Sequence, residues 1–294
     1  MSTIGGRFRT RLRNALERGR SVGVDLEQFG IHAVLVGIIV VLTIPIGLAF
    51  LFSTQTAVEV YEILHLAPGG SLLENYLTVW TEYNFGTYMR NSLVMTVVII
   101  AGKLSFSLLA ATALVYYDVP YQRYVFYVIL FTLMLPIPVR IVPLYQLLVD
   151  VGWANTFAGL TAPYIASATA VFLFRQRFRS IPASVVETAK LDGVGPIRFL
   201  VYVLVPMSKG MIAGVTVIMF ISMWNKYLWP LVVINDQGSQ VVQVGLRYIQ
   251  GAAAGGLTQW NLVMAGAMMA LLPPLVVLIV FRNTLLNTFG VQRE

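Results

Sequence analysis

The sequence predicts an all-α integral membrane protein with six helical spans and both termini in the cytoplasm. Three observations carry this. Apolar residues make up 57% of the 294, charged residues only 11%, and the mean hydropathy is +0.77. That balance excludes an ordinary soluble domain. Six apolar runs reach the roughly 20 residues a helix needs to cross a bilayer; they cover about 31–52, 92–117, 124–148, 157–174, 210–234 and 261–281. The cations sort by side. With the N-terminus inside, fifteen of the 20 Lys and Arg fall in inside segments, and only Arg90 and Arg247 fall outside. Lys103, Arg140 and Lys226 remain within apolar runs. The excess of cations on one side sets the orientation. It also accounts for the net charge of +7 without a nucleic-acid partner. With no cysteine there is neither a disulfide framework nor thiolate chemistry.

In chain order, residues 1–30 form a basic cytoplasmic arm with Arg7, Arg9, Arg11 and Arg13. It reads as a disordered anchor drawn to anionic membrane lipid, at about 1 kcal/mol per cation. It does not read as a cleaved signal, because the next apolar run is long enough to span and no small-residue cleavage site follows. Residues 53–90 form the longest outside segment, acidic through Glu59, Glu62, Glu74 and Glu82 and turned at Pro68-Gly69-Gly70. Within it Leu73 to Tyr76, followed by Trp80, reads as an amphipathic stretch at the membrane boundary. The second span carries Ser105, Ser107, Ala110, Ala111 and Ala113, small residues that permit close helix approach.

The third span holds Pro136, Pro138 and Pro143. Each removes a backbone donor, and broken helices at membrane depth are tolerated where they line a cavity or are buried in protein. The fourth span is expected to be capped by Asn155 or Thr156 and stops at Phe174-Arg175-Gln176-Arg177. The fifth carries Trp224-Asn225-Lys226-Tyr227-Leu228-Trp229-Pro230. The sixth contains Pro273-Pro274 and is expected to kink. Residues 286–294 form a cytoplasmic tail.

Lys103, Arg140 and Lys226 lie about eight to eleven residues from the outer ends of their spans, or roughly 12–17 Å deep at 1.5 Å per residue. No Asp or Glu lies in any span core to neutralise them. A charge at such depth usually faces a cavity or a partner. Two readings fit. The three can bond to freed carbonyls, snorkel or pair with another subunit. Alternatively, with Asn225, they mark the path of an anionic substrate such as a phosphate, which Arg grips bidentately and Lys meets as a point charge.

The inside loop 180–206 is built as a helix with punctuation. Ser184 and Glu187 have capping-box spacing, Gly193 is suited to a left-handed helix end, and Pro196 blocks continuation. About two turns remain, too few to stand alone in water. They need a surface to dock on, within this chain or on another. Glu187, Ala189, Asp192, Gly193, Phe199 and Pro206 resemble the E-A-A-x-x-D-G-(x)6-F-(x)6-P loop of ABC importer permeases. Thr188 and Val194 depart from the usual alanines.

Thr132-Leu133-Met134-Leu135-Pro136, Val139-Arg140, Ser167-Ala168-Thr169-Ala170 and the Trp224–Pro230 stretch are similar to permeases of the carbohydrate, maltose-type group, and within it to those of sn-glycerol-3-phosphate importers. The similarity covers about residues 31–285. Lys226 stands where that group tends to have a neutral amide.

The resemblance implies a type I ABC importer permease, with a cytoplasmic coupling helix between the fourth and fifth spans gripped by an ATPase. It implies a second permease as heterodimer partner, two copies of a cytoplasmic ABC ATPase, and an external solute-binding protein. The 53–90 segment would then be either a solvated connector or part of that protein's docking surface. ATP and Mg would be held by the ATPase, since this chain has no G-x-x-x-x-G-K-[ST] loop. Gly251–Gly256 is a flexible outside loop. The substrate would be sn-glycerol-3-phosphate or a related solute, with a neutral oligosaccharide as the alternative. In the maltose relative it is the sister permease that holds the sugar. An ion-coupled secondary transporter would want intramembrane carboxylates and an inverted repeat, and neither is visible. His32 and His65 sit in no cluster that suggests an enzyme.

Overall fold

The computed structural model describes residues 4–62, 65–254 and 257–289. The chain is helical nearly throughout. α1 (Ile4–Ser53) is one 50-residue helix that runs through Pro45. The expected basic arm is therefore continuous with the first span rather than a disordered segment. Its Ala, Leu, Arg and Glu content favours helix, and no proline intervenes before Pro45. The arm's side chains up to residue 27, residues 290–294 of the tail, and Gly255 and Gly256 of the expected loop lie outside the described residues.

α2 (Leu72–Thr81) and α3 (Phe85–Tyr116) follow. At 32 residues, α3 is about 48 Å long and is the axis of the fold. It begins seven residues before the apolar run expected at 92. The extra turns are held by burial of Phe85 and Tyr88. Asn91 and Ser92 fix the far loop: Asn91 Nδ2 donates to the carbonyls of Gly238 and Gln240, and Ser92 Oγ accepts from Val242 N at 2.8 Å.

The third predicted span is in two pieces, α4 (Gln122–Phe131) and α5 (Ile137–Asp150), separated by a 3-10 turn at Thr132–Met134. The break falls where Pro136 removes a donor. The fourth comprises α6 (Phe157–Thr161), a 3-10 turn, and α7 (Ala168–Arg179), five residues longer than expected. Thr156, not Asn155, caps α6, accepting from Gly159 N at 3.1 Å.

Next come α8 (Ala183–Leu191), α9 (Pro196–Phe199), a π-helical turn at Leu200–Leu204, and α10 (Val205–Met207). α11 (Lys209–Trp224) departs from the Pro196–Met207 run at 83°. The fifth apolar run is itself divided, into α11 and α12 (Leu228–Val233), around Asn225–Tyr227. α13 (Val242–Gly251), which the sequence reading missed, buries Val242, Val244 and Ile249. A two-residue antiparallel pair, β1 (Ala253–Ala254) and β2 (Leu257–Thr258), leads to α14 (Trp260–Phe289), which continues unbroken through Pro273 and Pro274. Among the described residues, four helical stretches are long and apolar enough to cross a membrane, or five if the bent 196–224 pair is one span.

α3 packs on α7, α11 and α13, and α14 packs on α1 and α11. No residue in the apolar window of the first span is fully buried within the chain, and α1 lies at the edge, against α14 and α2. At the end near α2 a buried amide cluster ties three elements together. Asn75 Nδ2 donates to the carbonyls of Ser53 and Gln55, and its Oδ1 accepts from Asn261 Nδ2 at 2.9 Å. Asn75→Ala would strand these buried partners. It is expected to lower stability in detergent by about 2–4 kcal/mol, read as a lower thermal midpoint, while an unchanged midpoint would contradict the role given to the cluster.

Candidate functional site

Two features stand out, one at the α8 end of α3 and one midway along the bundle. The first is the 180–206 loop. Ser184 does not cap α8. The cap falls two residues earlier, at Pro182, with no side-chain cap bond, because Pro182 has an extended ψ of 137° and fixes where helical geometry can begin. The Ser184 carbonyl instead accepts from Thr188 Oγ1. Capping-box geometry occurs elsewhere: Thr56 N donates to Glu59 Oε2 at 2.7 Å and Glu59 N donates to Thr56 Oγ1 at 3.3 Å. The bond from the Thr56 backbone holds the Glu59 carboxyl below its ordinary range.

The C-terminus of α8 closes as expected. Gly193 has φ +66°, its N–H donates to the Lys190 carbonyl at 3.1 Å, and Val194 N donates to the Ala189 carbonyl at 3.0 Å. These two bonds are those of a Schellman cap, which a residue with a Cβ adopts only under strain. α8 has two unlike faces. Ala189 is buried, joining Phe199, Phe178 and partly buried Tyr116 in one apolar cluster. Glu187, Thr188, Lys190 and Asp192 are exposed, and Leu191 is 88% exposed.

Tyr116, the last residue of α3, is the post beneath this loop. Its ring meets Phe199 edge-on at 5.2 Å, and its hydroxyl donates to the Phe178 carbonyl at 2.6 Å. From α7, Arg177 Nη2 donates to the Met207 carbonyl at 2.5 Å, beside the bend into α11. The π-helical turn precedes Pro206, and Val205 N reaches back to the Leu200 carbonyl. The widened turn accommodates the donor that proline lacks.

The second feature is a cavity of about 530 Å³. Its wall brings together Lys103 from α3, Arg140 from α5 and Lys226 from the α11–α12 break, with Thr132, Ser167, Thr169 and Ser222 adding hydroxyls. Among the described residues no Asp or Glu lines it. Breaks at Thr132–Pro136 and Asn225–Tyr227 form part of the wall, as expected of irregular backbone at membrane depth. Gly102 lets α3 approach closely here: a Cβ would come within 2.8 Å of Ile165 Cβ. Asn225, expected beside these cations, is not on the wall; its Oδ1 accepts from Gln243 Nε2 on α13 at 3.1 Å. The sequence reading missed Tyr164, whose ring lies 4.7 Å from Lys226 Nζ. An apolar run gives no local signal for a ring that meets a cation across the fold.

The cavity's charge is open to direct test, because the chain has no cysteine of its own. Thr169→Cys, on the wall, is expected to react with an anionic methanethiosulfonate about tenfold or more faster than with a cationic one, each rate normalised to a free thiol, at low salt. Equal normalised rates would show that the three cations are neutralised.

The binding-protein-dependent transport system inner membrane component family matches residues 103–287. The sn-glycerol-3-phosphate transport system permease protein UgpE of Brucella melitensis is 40% identical over 264 residues, spanning 86% of this chain and 92% of that protein. The protein of the same name from Rhizobium meliloti is 40% identical over 260 residues with the same coverage. Among solved structures, a bacterial ABC transporter that imports the acidic polysaccharide alginate aligns with a TM-score of 0.77 at 26% identity, over 87% of this chain and 95% of that one. The chain belongs to the family of binding-protein-dependent transport system inner membrane components.

Proposed function

We propose that this chain is a permease subunit of an ATP-driven importer that passes sn-glycerol-3-phosphate, delivered by an external binding protein, through the cavity between α3, α5 and α11. The observation that carries the substrate reading is the convergence of Lys103, Arg140 and Lys226 on one cavity wall without a carboxylate. An anionic phosphate satisfies such a wall, whereas a neutral oligosaccharide leaves the cations unmet. The 40% identity to permeases named for sn-glycerol-3-phosphate supports the same choice.

In this reading α8 is the coupling helix. Glu187 on its exposed face pairs with a cation of a cytoplasmic ATPase, and the Asp192-Gly193 turn seats the helix. Phe199 and Pro206 carry its displacement into α11 through the bend at Ser208. The termini lie in the cytoplasm, as the cation bias requires. A second permease completes the pathway, and two ATPase copies, holding ATP and Mg, drive it. Residues 31–285 are the transmembrane unit, 1–30 a membrane-surface arm and 286–294 a tail.

With its partner subunits in vesicles, the wild type is expected to accumulate sn-glycerol-3-phosphate only when ATP is supplied. Glu187→Ala is expected to insert normally and hydrolyse ATP with uptake reduced at least about tenfold, the loss of one charge-assisted contact. Gly193→Pro is expected to do the same, since proline cannot adopt φ +66°. Full uptake by both variants would remove α8 from the coupling path.

A further inference from the structure

The three cations of the cavity differ in how they are held. Arg140 is exposed on α5, where its planar fork is free to grip two oxygens of one anion. Lys103 is 9% exposed and also lines a second, smaller cavity beside Val215 and Met219. It therefore does not serve the main cavity alone. Lys226 is different again. Its ammonium sits over the Tyr164 ring at 4.7 Å. That ring stands edge-on to Trp229 at 5.7 Å, and Trp229, 2% exposed, is fixed by its Nε1 donating to the Leu160 carbonyl at 3.1 Å. Lys226 is thus a point charge on a rigid aromatic pedestal, at an unwound segment between two helices. Among the described residues it has no acidic partner in the cavity.

We propose that Lys226 is a specificity-determining residue by which this cavity selects doubly charged phosphate monoesters over singly charged phosphodiesters. The inference rests on the cavity being the substrate path. A monoester carries roughly −1.5 to −2 at pH 7 and offers three acceptor oxygens. A diester carries one charge and two free oxygens. Arg140 suffices for the oxygens of either head. The second charge of a monoester needs a second cation already in place, and Lys226 costs little ordering because its pedestal holds it before the substrate arrives. The hydroxyls of Thr169 and Ser222 lie on the same wall and are available to either head.

The test uses the complete importer in phosphatidylcholine vesicles and compares ATP-driven uptake of sn-glycerol-3-phosphate with that of glycerophosphoglycerol, its glycerol diester, which carries one negative charge and no cation. The ratio of maximal rates is the readout, because initial capture belongs to the binding protein. Lys226→Gln is expected to slow the monoester about tenfold and to leave the diester within about twofold, so the ratio collapses. Lys226→Arg is expected to restore it. An equal fall for both esters, or an unchanged ratio, would overturn the specificity role while leaving the importer reading intact. Failure of the wild type to take up either ester would overturn the importer reading and this inference with it. Phosphatidic acid presents the same monoester on a lipid, so repeating the assay with it in the vesicles separates the sources. Unchanged uptake is expected of a solute path, and strong inhibition would assign the cavity to a lipid headgroup instead.

Discussion

A helix of nine residues cannot hold itself in water, and α8 is held by the burial of Ala189 against the ends of other helices. Tyr116 closes α3, Phe178 is near the end of α7, and Phe199 opens the run toward α11; all three share the cluster with Ala189. The contact is small, yet it decides what the loop can do. With Ala189, Val185 and Val186 turned to the cluster, Glu187, Lys190 and Leu191 are left facing outward. Because Tyr116 is bonded to the Phe178 carbonyl and Arg177 to the Met207 carbonyl, a force on α8 is shared among α3, α7 and the bend before α11. Those helices also pack on one another, α3 against both α7 and α11.

The same three helices reach the cavity. Lys103 lies on α3, Ser167 caps α7, accepting from Ala170 N, and Ser222 lies on α11. Ser107 on α3 donates to the Ser167 carbonyl at 3.2 Å, which joins the cavity wall to the helix that ends at Tyr116. In the proposed mechanism, these contacts are the route by which a displacement at one end would reach side chains that face the cavity. Like charges on separate helices also give an anion a mechanical effect. On the proposed path, a bound anion would draw α3, α5 and the α11–α12 break together, and without it the cations would repel. In a low-dielectric setting both forces exceed their values in water.

Much of this was legible in the sequence, because hydropathy reports helices that face lipid. The runs at 31–52 and 261–281 fall inside α1 and α14. Gly193 was legible since only a residue without a Cβ adopts φ +66° without strain. The depth of Lys103, Arg140 and Lys226 followed from counting residues along helices, and the cavity unites them. Other features were not local. Ser184 had the spacing of a cap, but Pro182 set the helix start, and Thr56 with Glu59 used the same spacing where no cap was sought. Helix boundaries at Phe85 and Arg179 exceeded the apolar runs because burial of Phe85, Tyr88 and Phe178 extends helix beyond what hydropathy detects. α13 was hidden because its apolar residues are interrupted by Gln243, Arg247 and Gln250, so no continuous apolar run marks it. Asn225 was placed on the pathway by its neighbours in sequence, whereas the bond from Gln243 turns it toward α13.

The central claim is that α8 is a handle, fastened to the spans on one face and grasped by an ATPase on the other. Cross-linking at two positions tests it most directly, in a chain with no native cysteine. Leu191→Cys, fully presented, is predicted to react with a membrane-impermeant maleimide only from the cytoplasmic side and to cross-link to the ATPase in the assembled importer, while Ala189→Cys remains unlabelled. Labelling of Leu191→Cys from the outside, or its free labelling with no cross-link in an importer that still couples ATP to uptake, would contradict the account.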